Sequence, residues 1–281
     1  MADTKILLGG LCFAEGPRWR NDKLYFSDMH ANIVYTVDSS GELETVVALD
    51  NDQPSGLGWL PDGRLLIVSM TERKVLAYDG SVLSELADLS SLASYHCNDM
   101  VTDPLGRSYV GNFGFNLHKG SDFKKAEVIM VESDGRSSVV AEELAFPNGM
   151  VITPDGSTLI VAETMAARLT AFDIDLEGNL THRRIWAKLD EAMPDGICLD
   201  SAGGIWVASP STNEAMRVEE GGKVTDRVRV GNRAFACMLG GDNGITLHIL
   251  TSRTSDPETC ALEKSAAIEI IDVSYPGAGW P

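Results

Sequence analysis

Along this chain, a short step made of a polar residue and a small one leads into an apolar run, a turn, and then a second β-rich run. The pattern recurs once in about every 40 to 50 residues. The steps are Glu15-Gly16, Ser55-Gly56, Asn98-Asp99, Asn148-Gly149, Asp195-Gly196 and Phe235-Ala236, and the second runs read LYFSD, LLIVS, SYVGN, TLIVAE, GIWVAS and TLHIL. Turn residues separate the two runs: Pro61-Asp62-Gly63, Asp103-Pro104-Leu105-Gly106, Pro154-Asp155-Gly156, Asp200-Ser201-Ala202-Gly203 and Gly241-Asp242-Asn243-Gly244. Gly there supplies positive φ, and Asp or Asn caps the turn through its own side chain, so these stretches predict hairpins. Further strands are expected at Lys74–Tyr78, 127–131, 168–172 and 268–273.

About four short strands per unit at this period is the pattern of a propeller blade. Six units predict an all-β, six-bladed β-propeller occupying residues 1–281 as one domain. A β-sandwich also uses short strands and turns, but it leaves six recurrences of one internal pattern unexplained. An open ring would expose strand edges, so the seam is expected to close by strand exchange, with Lys5 to Leu8 or the C-terminal run supplying the missing strand. The only segment considered for a helical turn is Ser84 to Ala93.

Charge narrows the partners. With 23 Lys plus Arg against 41 Asp plus Glu, the net charge is −18, which repels phosphate backbones and anionic lipid. Nucleic-acid and membrane partners are not expected, and a small-molecule substrate is. No stretch approaches the roughly 20 apolar residues of a spanning helix, and the N-terminal residues lack the features of a signal peptide, so the expected location is cytoplasmic. The five cysteines are scattered, with no C-x-x-C pair, which fits reduced thiols and not a disulfide framework or a zinc site. Oligomeric state is not legible.

In a propeller the first strand of each blade lines the central channel, so residues opening that strand face one another across one mouth. Glu15, Asn98, Asn148 and Asp195 then become neighbours. Two carboxylates and two amide carbonyls are hard oxygen donors suited to a divalent cation. Ca²⁺ fits first, because Mg²⁺ holds its waters and rarely accepts a mostly protein cage; Zn²⁺, Mn²⁺ and Mg²⁺ are the alternatives. Singly, each residue could equally cap a turn. Two acids converging in a channel would also repel each other and shift their pKa values unless a cation lay between them.

These residues are embedded in AEGPRW, HCNDMVTDPLGR, FPNGMVITPDG and MPDGICLDSAGGIWVA. With them the chain resembles, over essentially its whole length, the senescence marker protein/gluconolactonase/luciferin-regenerating enzyme family of six-bladed propellers. The resemblance implies direct metal ligation by Glu15, Asn148 and Asp195, with Asn98 either a fourth ligand or a substrate contact. The related diisopropyl fluorophosphatase type uses all four in a calcium site. It also implies metal-dependent lactone hydrolysis, with phosphotriesters or fluorophosphates as alternative substrates. Sugar-acid lactonases of the family tend to carry arginine two residues before the Asn-Asp pair. This chain has His96 there, which puts aldonolactones in doubt.

The ends of the second strands, Asp28, Ser69, Asn112, Glu163 and Ser209, are expected as a ring just outside the metal, with Met29, Met70, Phe113, Phe115 and Met165 beside them. Met and Phe over a polar floor suggest a mouth for a hydrophobic or aromatic lactone. Residues 111–116 are expected as a glycine-flanked mobile flap, and Glu163 with Arg168 as a structural ion pair. His118, His182 and His248 show no partner pattern and are expected in surface or core roles. No nucleophile elbow appears. The expected reaction is therefore metal-dependent opening of a lactone. Asp195 serves as base or nucleophile, Asn98 and Asn112 orient the substrate, His96 supplies the proton to the leaving oxygen, and Met70, Met165, Phe113 and Phe115 contact the substrate. The alternatives are a phosphotriesterase or fluorophosphatase and a noncatalytic propeller with a structural calcium.

Overall fold

The computed structural model describes residues 4–50, 52–117 and 119–280. Six antiparallel sheets follow one another around an axis, four of them formed from consecutive strands alone. Blade 1 comprises Ala14–Arg20, Lys23–Asp28, Ile33–Val37 and Leu43–Ala48, and blade 2 comprises Pro54–Trp59, Leu65–Ser69, Lys74–Tyr78 and Leu83–Asp88. Blade 3 is Cys97–Thr102, Ser108–Asn112, Ala126–Val131 and Ser137–Leu144; blade 4 is Pro147–Ile152, Thr158–Glu163, Arg168–Ile174 and Leu180–Lys188. Blade 5 runs Ile197–Asp200, Ile205–Ser209, Glu214–Val218 and Val224–Arg229. Blade 6 holds Arg233–Gly240, Thr246–Ser252 and Ala266–Asp272. The fourth strand of blade 6 is Lys5–Leu11 from the other end of the chain, paired Lys5 to Ile270 and Leu11 to Ala266. The ring therefore closes through the first of the two segments expected at the seam. The C-terminal Gly277–Ala278 instead adds a fifth strand to the inner edge of blade 5.

Burial follows this order. The inner strands of blades 2, 3 and 4 are buried at every residue because they face neighbours on both sides, whereas the outermost strand Leu43–Ala48 is exposed at four of its six positions. Six apolar clusters each bridge one pair of adjacent blades, as Ala162 and Leu169 of blade 4 meet Val207 and Met216 of blade 5. A seventh cluster lies over the mouth of the channel, formed by Phe13, Met29, Met70, Phe113, Phe115, Phe146, Phe235 and Cys260 with Tyr95 against it.

The expected hairpin turns are present. At Asp103-Pro104-Leu105-Gly106 the Asp103 carboxylate accepts from the Leu105 and Arg107 N–H groups at 2.9 Å, and Gly106 takes φ +81°. Ser84 to Ala93 departs from expectation. Leu83–Asp88 is the outer strand of blade 2, and only a single turn follows, where the Ala93 N–H donates to the Leu89 carbonyl at 2.8 Å. Pairing with Lys74–Tyr78 overrides the local preference there. The α-helix of the described residues is Pro257–Glu263, capped by Asp256, whose side chain accepts from the Thr259 N–H. All five cysteines are buried free thiols, with Cys198 and Cys237 sulfurs 3.9 Å apart. Among the described residues no helix is long and apolar enough to cross a membrane.

Candidate active site

The inner strands carry an irregularity at one place. The register with the neighbouring strand slips between Glu15 and Arg18, Pro54 and Leu57, Cys97 and Met100, Pro147 and Met150, and Ala234 and Ala236. Each slip is a β-bulge, which bends a strand and re-aims the side chain at the extra residue. Glu15, Ser55, Asn98, Asn148 and Phe235 sit in these bulges, and Asp195 occupies the matching place just ahead of Ile197–Asp200.

The small residue of each step has its own cause. A Cβ on Gly16 would lie 2.6 Å from the Ser55 carbonyl oxygen, one on Gly149 would lie 2.7 Å from that of Asp195, and one on Gly196 would lie 2.7 Å from the Ala236 Cα. Neighbouring inner strands touch backbone to backbone at the hub, and glycine permits that approach. The blade 3 step carries Asp99, whose carboxylate accepts from Arg18 Nη2 of blade 1 at 2.8 Å; the Arg18 guanidinium also donates to the Pro17 and Met100 carbonyls.

Glu15, Asn98, Asn148 and Asp195 converge on the floor of a cavity of about 190 Å³. The two amides are buried. The two carboxylates are half-buried and open to the cavity, though crowded by protein on the other sides. Asn148 Nδ2 donates to Thr164 Oγ1 at 3.2 Å, Thr164 Oγ1 donates to the Pro194 carbonyl at 2.7 Å, and the Asn148 amide also bonds Asp195. With its N–H groups committed to these acceptors, Asn148 has its Oδ1 to offer a ligand. Asn98 Nδ2 is buried without a partner, a costly state unless something in the cavity meets it. Burial raises Glu15 well above the ordinary carboxylate range, and the nearby charges of Asp195 and Asp99 raise it further. Asp195 is raised by burial and by Asp99, against the opposing bond from Asn148. Two acids held up by desolvation and mutual repulsion form an anionic, oxygen-only pocket that a small cation relieves. Among the described residues no trio of His, Cys, Asp or Glu converges, since half of the floor set is amide.

The residue two positions before each step builds the layer above the floor. These residues are Phe13, Gln53, His96, Phe146, Met193 and Arg233, of which Phe13, Phe146, Met193 and Arg233 line the cavity. Met29, Met70, Phe113 and Met165 line it as expected, joined by His30, Thr164 and Phe235. His30 stacks on Phe13 with ring centroids 5.2 Å apart, its Nδ1 lies 3.2 Å from Gln53 Nε2, and its Nε2 lies 3.4 Å from the Ser255 carbonyl. An amide N–H facing Nδ1 and a carbonyl facing Nε2 suit a ring that carries its proton on Nε2. His30, Phe13, Phe146 and Arg233 carried no separate sequence signal; the shared offset from the step is what could have found them.

Several anticipated contacts lie elsewhere. Asn112 is fully buried: its Nδ2 donates to the Glu127 carbonyl and carboxylate at 3.0 Å, and its Oδ1 accepts from Gly114 N–H at 2.9 Å. Phe115 packs behind the wall against Phe146 and Phe123 at 6.0 and 5.6 Å. His96 stacks on Tyr95 at 4.1 Å and flanks Phe113, outside the lining. The segment expected as a mobile flap is pinned by these bonds and by the Phe113 N–H donating to the His96 carbonyl at 2.9 Å. The expected ring at the second-strand ends also serves as bracing. Asp28 accepts from the Cys12 and Phe13 N–H groups at 3.0 and 2.7 Å, and Ser69 donates to Asp52. Buried Glu163 is raised by desolvation but brought below its ordinary value by bonds from Thr170 and Ala145 and by the Arg168 ion pair at 2.8 Å. His182 is exposed beside Asp173, His248 is buried, and His118 lies outside the described residues.

A model of the SMP-30/gluconolactonase/LRE-like region matches residues 13–253. The 6-deoxy-6-sulfogluconolactonase of Pseudomonas putida is 25% identical over 276 residues, covering 95% of this chain and 93% of its own. Pentonolactonase XacC of Haloferax volcanii is 28% identical over 214 residues, covering 74% and 68%. Among solved structures, regucalcin from Agrobacterium tumefaciens, described as a calcium-binding protein, superposes with a TM-score of 0.83 at 20% identity, over 100% of this chain and 96% of that one. The chain belongs to the SMP-30/gluconolactonase/LRE-like family.

Proposed function

We propose that the protein is a divalent-metal-dependent lactonase whose substrate is a small lactone with apolar or aromatic character. The observation that carries this reading is the convergence of Glu15, Asn98, Asn148 and Asp195 beneath a mouth of Phe and Met side chains. Two of the relatives named above are a 6-deoxy-6-sulfogluconolactonase and a pentonolactonase, which supports the reaction class. The apolar wall supports a less hydroxylated ring, and a cavity of about 190 Å³ suits a small one, being below the roughly 300 to 1,000 Å³ of drug-sized sites.

Glu15, Asp195, Asn148 through Oδ1, and Asn98 would hold the cation, with calcium the first choice for an all-oxygen set. When bound, such an ion supplies Lewis acidity to an ester carbonyl. Asp195 takes the proton of the attacking water at its carboxylate. Asn98 offers its amide at the floor, as a fourth ligand or as a contact to a substrate oxygen. Asp195 then returns that proton to the leaving oxygen, in place of His96, which does not line the cavity. The aromatic mouth excludes water around the ester, which strengthens each of these interactions.

The test is chelation followed by readdition of Ca²⁺, Zn²⁺, Mn²⁺ or Mg²⁺, assayed on aromatic, aliphatic and polyhydroxy lactones and on a phosphotriester. Cation-dependent opening of an apolar lactone is the expected result. Preference for the phosphotriester, or turnover unaffected by chelation, overturns the reading.

A further inference from the structure

Six equivalent positions, one per blade, form the layer directly above the floor, and four of them reach the cavity: Phe13, Phe146, Met193 and Arg233. Three are apolar. Arg233 is the one Lys or Arg lining the cavity among the described residues. It opens the inner strand of blade 6, paired with Ser252, two residues ahead of the bulge that turns Phe235 into the mouth. Blade 6 is also the blade whose step contributes Phe235 to the mouth in place of an oxygen donor.

Most arginines here have carboxylate partners, among them Arg18 with Asp99, Arg217 with Asp200 and Arg227 with Glu214. In a chain of net charge −18 that is unsurprising. Arg233 has neither an ion pair nor a hydrogen bond from its guanidinium among the described residues, and its side chain is exposed at the rim. An arginine set into an aromatic wall presents its planar donors without an internal acceptor, which is the arrangement that receives a carboxylate from a ligand. A negatively charged substrate would otherwise meet a repulsive surface.

We propose that Arg233 recognises an anionic substituent of the substrate, so that the preferred lactone carries a carboxylate on the part of the molecule remote from the ester. The ring lies among Phe13, Phe146 and Phe235 with its ester at the floor, and the carboxylate reaches the rim at blade 6. This rests on the lactonase reading and adds the substrate's charge to it.

The test compares a five-membered lactone bearing a carboxymethyl group with its neutral carboxamide analogue, in wild type, Arg233→Met and Arg233→Lys, at low and high salt. In wild type, kcat/KM for the anionic lactone is expected to exceed that for the neutral one by about tenfold or more, as one additional charge-assisted contact allows, with the advantage carried in KM and shrinking with salt. In Arg233→Met the ratio falls toward one, and Arg233→Lys restores part of it. Equal rates on both lactones in wild type, or an equal loss on both in Arg233→Met, overturns the proposal. Cyclopentaneacetate and cyclopentaneacetamide, which have no ester, separate this from the reaction class: calorimetry should show that the acid binds more tightly and that Arg233→Met removes the difference. If neither lactone is opened, the lactonase reading fails while the binding pair still decides Arg233.

Discussion

Arg18 and Asp99, 81 residues apart, form a buried ion pair of 2.8 Å that ties the inner strand of blade 1 to that of blade 3. Their side chains are 5% and 11% exposed, so neither partner has water to replace the other. Replacing Arg18 with Met keeps apolar volume but strands Asp99. The expected loss is about 3 kcal/mol of unfolding free energy in denaturant titration. Arg18→Met combined with Asp99→Asn should recover part of it, because no uncompensated charge remains; additive losses in the double variant would refute the coupling.

Backbone contact at the hub makes Gly149 intolerant of any side chain. Its Cβ would lie 2.6 Å from the Ile197 nitrogen and 2.8 Å from the Gly196 Cα, atoms that cannot rotate away. Gly149→Ala is expected to cost about 2 to 3 kcal/mol. Gly80, at φ +97° with open space around it, isolates the purely conformational penalty, and Gly80→Ala should cost about 1 kcal/mol. Similar melting shifts for the two variants would mean the hub yields more than its geometry implies.

The blade repeat was legible because it is local: a turn, an alternation and a step recur within each stretch of some forty residues. The floor set followed from the same register, and the structure does bring Glu15, Asn98, Asn148 and Asp195 to one cavity. The wall was only half legible. Phe13 and Phe146 resemble core positions when only their neighbours in sequence are seen, and their place in the mouth depends on bulges that spacing does not reveal. Asn112 shows the opposite error. Its position at a strand end was correct, but its hydrogen-bond partners on Glu127 come from the next strand, and they decide that it braces a loop. The helix Pro257–Glu263 escaped notice because seven residues hold too few turns to display a period, although Asp256 and Pro257 form a recognisable start.

Calcium should bind wild type and raise its melting temperature, since a ligand of the folded state alone stabilises it. Glu15 and Asp195 are raised above their unfolded values, so without cation the folded state holds more protons and loses stability as pH rises above the ordinary carboxylate range. Calcium requires the deprotonated carboxylates, so its stabilisation should be larger at pH 8 than at pH 5. Asp195→Asn should remain folded by circular dichroism, lose calcium affinity by about a hundredfold in calorimetry, and lose turnover. Full calcium affinity in that variant would remove Asp195 from the ligand set.

His248 gives a pH dependence independent of the floor. It stacks on Trp19 at 5.3 Å with Nδ1 3.2 Å from the Met238 carbonyl, and burial lowers its pKa from 6.5 to about 4, against the opposing hydrogen bonds to Met238 and Thr246. Between those values the unfolded chain takes up a proton that the folded one refuses. The contribution of neutral His248 is therefore complete above pH 6.5 and is lost as pH falls toward 4, by about 3 kcal/mol in all. His248→Phe retains an aromatic ring beside Trp19 and cannot titrate. The difference in unfolding free energy between wild type and this variant cancels the carboxylates, and it should move in the variant's favour as the solution is acidified from pH 6.5 to 4.5. A difference that stays flat across that range would show that the imidazole is protonated in the folded protein, with water or a carboxylate reaching it beside Trp19.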